Sequence, residues 1–425
     1  MPHSYKKILL LLALSILGFL KPLITQATEI NLNCTSWGCK GFIESAKIWQ
    51  KTQDNTQVKL YEAGHLADNL LGFYRQVLNT QSSELDILLI DTIWPGVLGK
   101  HLVDLRQYIP EQEIKQHFQP IINNLTLNNQ HLIAMPLFTD TGLLYYRKDL
   151  LEKYGFSAPE TWQELEQIAK VILAGEQDPE LTGFVWQGKS YEGLTCNALE
   201  WIDSFHGGTI IDEKTGAITI NNPQAKQALS LIRSWIGEIT PVAVLDYSEL
   251  ETSNHFRSGK AIFMRNWMEY WSLLNQEDSP IKGLVGLAPI PKGGPQGKHS
   301  GTLGDMSLAV SRYSQNIEQA AQLVRFLTDS QQQKRHALAY SFAPTVIDTY
   351  TDPELLAERG FMAAYKKALL YGVARPAKIT GLSYPKVSKK FHHAVHHYLA
   401  GHQGLDDTLI TLERDLIRIK ENASW

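Results

Sequence analysis

Three cysteines in 425 residues rule out a disulfide scaffold. No run of lysine and arginine stands out, and the net charge of −4 argues against a nucleic-acid partner. No phosphate loop, dinucleotide fingerprint or nucleophile motif occurs, and no internal repeat or low-complexity tract. Beyond the N-terminus no stretch is apolar enough to span a bilayer. The run Ile8 to Leu20 is about 13 residues, short of the roughly 20 a spanning helix needs. It follows Lys6 and Lys7 and precedes Thr25-Gln26-Ala27, small residues at −3 and −1, so it reads as a secretory signal cleaved near Ala27. An uncleaved anchor is the other reading. Cys34 follows Asn31-Leu32-Asn33, which is no lipoprotein cleavage box. The mature chain is expected to be exported, periplasmic or otherwise extracytoplasmic.

What is present is an ordinary folded composition, 44% hydrophobic and 20% charged, in a length that calls for two domains. Strand and helix alternate from Glu29–Cys34 through a helix at 41–51, a strand at 57–61 and a helix near 66–78. The nearly unbroken apolar run Leu85 to Asp91 suits a central strand covered on both faces. The architecture is therefore α/β. Asp91 closes that strand, where ligands of open α/β sheets bind, with Trp94 just behind; a helix N-cap is the plainer role for it. Thr161 followed by Glu164 marks a capping box. After the Pro/Gly-rich stretch at 289–295, helical segments are expected to dominate.

Phe138 and Asp140 stand two apart in an extended segment, so both should face one side. A ring that covers C–H groups beside a carboxylate that accepts hydroxyl protons is suited to a neutral sugar. A turn acid at the entry to a buried strand fits as well. Cys34 and Cys39 bracket a short loop that a disulfide could close, or Cys34 is simply a buried strand residue. His392, His393, His396 and His397 form two i, i+4 pairs, but no carboxylate or cysteine completes a metal site, and neither metal nor cofactor is expected.

Several stretches together resemble the extracytoplasmic solute-binding proteins of ABC sugar importers, in the trehalose/maltose-binding branch. They are Asp86-Ile-Leu-Leu-Ile-Asp-Thr-Ile-Trp94, the segment from Gly142 to Gly155, Gly183-Phe-Val-Trp-Gln-Gly188, Tyr191-Glu-Gly-Leu194, Arg265-Asn-Trp267 and Arg375-Pro376. The resemblance implies a two-lobed periplasmic-binding-protein fold with a three-segment hinge and an interlobe ligand cleft. It divides the chain into a signal peptide (1–27), lobe 1 (28–142 plus 308–343) and lobe 2 (143–307 plus 344–425). It implies a monomer whose partners are a glycoside and the permease subunits of the importer. Position by position it makes Asp91 a hydroxyl acceptor, Phe138 and Asp140 an aromatic–carboxylate pair, Trp267 a stacking platform, Arg375 a cleft arginine and Glu249 a further acid.

Two departures bear on the ligand. Leu303-Gly304-Asp305-Met306 replaces a family motif that ends in tryptophan, exchanging an aromatic platform for a carboxylate. Trp37, between Cys34 and Cys39, offers a new contact at the N-terminal cleft loop. A single platform with an added acid suits a small hydroxyl-rich second moiety. The expected ligand is thus a glycosylated osmolyte, glucosylglycerol first and trehalose or sucrose next. The alternatives are a maltose or maltodextrin binder for carbon uptake and an exported glycoside hydrolase with Asp91 and Asp140 as its catalytic pair.

Overall fold

The structure is a computed structural model that describes residues 27–34, 36–62, 66–423 and 425; the side chains of 36–40, 363, 364 and 367 are outside that description. The signal-peptide reading, the side chains of Trp37 and Cys39, and hence the contact proposed for Trp37, lie outside the described residues. Cys34 itself is disulfide-bonded, whereas Cys196 is a free buried thiol.

The longer strands, in chain order, are β1 (Thr28–Cys34), β2 (Thr56–Glu62), β3 (Ile87–Asp91), β4 (Met135–Thr141), β5 (Leu143–Arg147), β6 (Thr182–Val185), β7 (Ala261–Asn266), β8 (Val285–Pro289) and β9 (Leu303–Val310). They form two sheets, one in each lobe. The first has the order β2-β1-β3-β9-β4 and the second β8-β5-β7-β6. Every residue of β3 is buried, as its apolar run requires. The sheet around it is mixed, because β3 pairs with β1 in parallel and with β9 in antiparallel.

The 303–310 segment, where helices were expected, is thus a central strand of the first sheet. It runs through the division at 307/308 drawn from the sequence. Its Gly304-Asp305 start is poor strand sequence, and pairing on both sides with β3 and β4 overrides that local weakness. The Thr161 cap forms as expected: its hydroxyl accepts the Glu164 amide at 3.2 Å. The reciprocal bond goes one residue upstream, from the Glu160 amide to the Glu164 carboxylate at 2.7 Å.

Three chain segments lie side by side between the sheets. The Gly142 amide donates to the Thr302 carbonyl, the Leu303 amide to Val373, and the Val373 amide to Gly301. Beneath them sits an ion pair with no solvent exposure, Arg265 with Glu200. The guanidinium forks onto both Glu200 oxygens, through Nε at 2.9 Å and through Nη2, and Nη1 reaches Gln187 at 3.1 Å. Glu200 also accepts the Thr302 amide at 2.9 Å. A Cβ on Gly142 would lie 1.9 Å from Glu200 Oε1 and 2.7 Å from Arg265 Nη2, so only glycine lets the first crossing pass over the pair.

Breaking a buried pair from one side strands a charge, at a cost of about 3–5 kcal/mol. Glu200→Ala is therefore expected to lose on that order in urea denaturation. Loss of the half-buried Asp415 from its pair with the exposed Lys390 should change stability far less.

Candidate functional site

The ends of β3, β4, β7 and β9 meet at a cleft of about 520 Å³ between the two sheets. Register builds its first wall. Met306 of β9 lies opposite Asp91 on one side and Phe138 on the other, and Gly304 lies opposite Asp140. Between Met306 and Ser307 the pairing slips by one residue, which leaves Leu137 of β4 as the extra residue of a bulge; Asp305 and Met306 both line the cleft. Asp91, Phe138, Asp140, Glu249, Trp267, Asp305, Met306 and Arg375 all line it. Phe138 and Asp140 share a side, as strand alternation predicts. Phe138 is less open than a free platform: it is stacked on Phe342, with centroids 4.6 Å apart and planes at 16°.

Trp267, half-buried at the end of β7, is held from several sides. The Arg265 guanidinium lies 3.9 Å from its ring centre, and the Tyr145 hydroxyl donates to its carbonyl at 2.6 Å. A Cβ on Gly304 would come within 3.1 Å of the ring, so that glycine lets β9 approach the indole. Glu249 accepts from the Tyr191 hydroxyl at 2.5 Å and lies 3.5 Å from the Trp267 indole nitrogen.

Arg375 joins the lobes. It donates to Asp91 at 3.1 Å and to Glu192 at 2.9 Å, and its Nε is buried without a partner. Glu192 opens the helix Glu192–Ser204 of the second lobe, and Asp68 of the first lobe accepts its backbone amide. Trp94, just behind Asp91, lines the cleft too, whereas cleft-facing Glu192, Tyr191, Glu269 and Tyr270 were missed as site residues in the sequence. Tyr191 and Glu192 lay within a matched stretch and Tyr270 three residues past Trp267, so proximity to the motifs was the available signal.

Asp140 Oδ1 accepts from the amides of Thr141 at 2.7 Å and Met268 at 3.2 Å and from the Tyr365 hydroxyl at 3.1 Å. Asp305 accepts from the Thr139 hydroxyl at 2.5 Å. Burial, with the Asp91 charge nearby, pushes its carboxyl up to about 6. The four-histidine helix carries no such site. His392 is buried against the Ser190 hydroxyl at 3.1 Å and pushed down to about 4 by burial, and His396 meets the Leu245 carbonyl at 3.2 Å. Among the described residues no three His, Cys, Asp or Glu side chains are grouped to hold a metal ion.

A raised Asp305 contributes stability that is complete below the ordinary aspartate range, about 3.9, and lost as pH climbs through about 6. Asp305→Asn keeps the acceptor for Thr139 but cannot ionise. Its melting temperature is therefore expected to gain on the unaltered protein between about pH 4 and 7, equivalent to roughly 2–3 kcal/mol. Thermal unfolding across that range checks it.

Residues 40–334 match the family model described as bacterial extracellular solute-binding protein. A probable ABC transporter-binding protein of Deinococcus radiodurans is 45% identical over 401 residues, covering 93% of this chain and 94% of that one. A maltose-bound MalE3 of T. maritima superposes with a TM-score of 0.87 at 33% identity, covering 92% of this chain and all of the other. A D-mannitol-bound solute-binding protein of Agrobacterium vitis shares the fold, with a TM-score of 0.79 at 19% identity over 93% and 99% of the two chains. No helix among the described residues is long and apolar enough to cross a membrane. The two-lobed α/β fold, the cleft between the lobes and these matches place the chain in the bacterial extracellular solute-binding protein family.

Proposed function

We propose that the chain binds a neutral glycoside in the interlobe cleft and delivers it to the permease subunits of an ABC importer, with glucosylglycerol the first candidate and trehalose or sucrose next. The observation that carries this reading is that the Trp267 ring and the carboxylates Asp91, Asp140 and Asp305 line one cleft. An indole face covers the C–H surface of a sugar ring, and carboxylates take hydroxyl protons in charge-assisted bonds. The volume suits a disaccharide or a smaller glycoside. Asp305 and Met306, in the first wall, favour a short polyol over a second stacked ring.

A maltose or maltodextrin ligand is the second reading, and Tyr191 and Tyr270 favour it. Their rings line the cleft beside Trp267 and offer apolar cover that Leu303-Gly304-Asp305-Met306 lacks. The maltose-bound relative supports the same reading. Hydrolysis has less support. Asp91 is tied to Arg375 and Asp140 already accepts three donors, so neither is a free nucleophile or a lone acid in an apolar pocket.

Calorimetry with glucosylglycerol, trehalose, sucrose and maltose decides between the ligands. Reversible heat with glucosylglycerol and at least ~10-fold weaker maltose binding supports the first reading; the reverse order supports the second. Trp267→Ala should weaken whichever ligand binds by about 1–3 kcal/mol, from the loss of its stacking face.

A further inference from the structure

Glu269 belongs to none of the motifs that announce the cleft. It follows Trp267 by two residues, lines the cleft, and has a buried Oε2 that no donor reaches. The amide of its neighbour Met268 donates to Asp140 at 3.2 Å, both residues line the same cleft, and the two carboxyls lie within hydrogen-bonding reach. Two carboxylates have only acceptors to offer each other, so a bond between them requires a proton. Asp140 already receives two amides and the Tyr365 hydroxyl on one oxygen, which stabilises its charged form. Glu269 has no comparable set of donors. The proton therefore belongs on Glu269.

We propose that Asp140 and Glu269 hold one proton between them, and that Glu269 as a neutral acid is a specificity residue of the cleft, admitting neutral polyhydroxy ligands and excluding anionic ones. A neutral carboxyl offers a sugar hydroxyl both a donor and an acceptor. Beside it stand the acids Asp140 and Glu249, whose charge opposes a phosphate or a sugar acid. The specificity half rests on the sugar-binding reading above; the shared proton stands without it.

The groups facing Glu269 are Asp140 from β4, Tyr145 from β5, Glu249 from the helix Glu249–Arg257 and its own neighbour Tyr270. Tyr365, on the helix Phe361–Leu369, reaches the pair through Asp140. Burial first, then the Asp140 charge, holds the glutamic acid protonated well above the usual range. Burial raises Asp140 too, against its three donors.

The sign follows from linkage. A native group with a raised pKa contributes stability that is complete below the ordinary glutamate value, about 4.3, and lost as pH rises through the native value. Glu269→Gln keeps the shape but cannot ionise. In the ligand-free protein its melting temperature should gain at least ~2 °C on the unaltered protein between about pH 5 and 9. Parallel profiles would overturn the shared proton, whatever sugar binds. Asp140→Asn approaches the pair from the other side and should flatten the same slope; a variant as pH-dependent as the parent counts against the proposal. With maltose and its aldonic acid, maltobionate, as probes, the unaltered protein should prefer maltose by ~100-fold or more, about 2.7 kcal/mol. Equal affinities would remove the role in specificity. If neither maltose nor glucosylglycerol binds, the sugar-binding reading fails, while the unfolding comparison still decides the proton.

Discussion

The buried pair of Arg265 and Glu200 is the interaction on which the cleft depends. A guanidinium with no solvent exposure is tolerable only if its donors are met, and here Glu200 and Gln187 meet them. The same atoms then do two further things. Glu200 receives the Thr302 amide and lies against Gly142, which anchors two of the segments joining the lobes. The outer face of Arg265 supports the Trp267 ring. One ion pair thus places the hinge and the aromatic platform relative to each other. A pair of apolar residues of equal volume could match its stability. It could not accept a hinge amide and present a cation to an indole at once.

A second ionic link, of different character, spans the cleft itself. Arg375 draws Asp91 from the first sheet and Glu192 from the second lobe onto one guanidinium, and Asp68 accepts the amide at the start of the same helix. Both contacts exist only while the lobes are near one another, so they belong to the conformation seen here. Domain closure around a ligand in this architecture works by such differential contacts. The buried, unpartnered Nε of Arg375 is the one donor of this link left unmet.

The acids of the cleft are not equivalent. Asp91 is neutralised by Arg375, Asp140 is supported by three donors, Asp305 is pushed up by burial, and Glu269 faces another carboxyl. Their chemistry follows from these surroundings more than from residue type. Equal carboxyls in the sequence become a paired charge, an acceptor, a titrating group and a neutral acid.

By itself the chain determined the class of fold and most of the first wall. Alternation of β and α segments, the apolar run ending at Asp91 and the two-residue spacing of Phe138 and Asp140 are local patterns, and local backbone geometry carries them into the structure unchanged. The Arg265-Asn-Trp267 motif and Arg375 were legible only through the resemblance to a known family, because neither carries a local pattern that tells a site residue from a core or surface one. What tertiary structure alone decided are the features that depend on partners distant in sequence. Leu303–Val310 reads poorly as a strand and becomes one because β3 and β4 pair with it on both sides. The meeting of Arg375 with Asp91 spans 284 positions, and that of Arg265 with Glu200 spans 65. Glu269 carries no pattern of its own. Its role arises only when the end of β7 is laid beside β4, because the cost of a second charge appears once the two carboxyls are brought together.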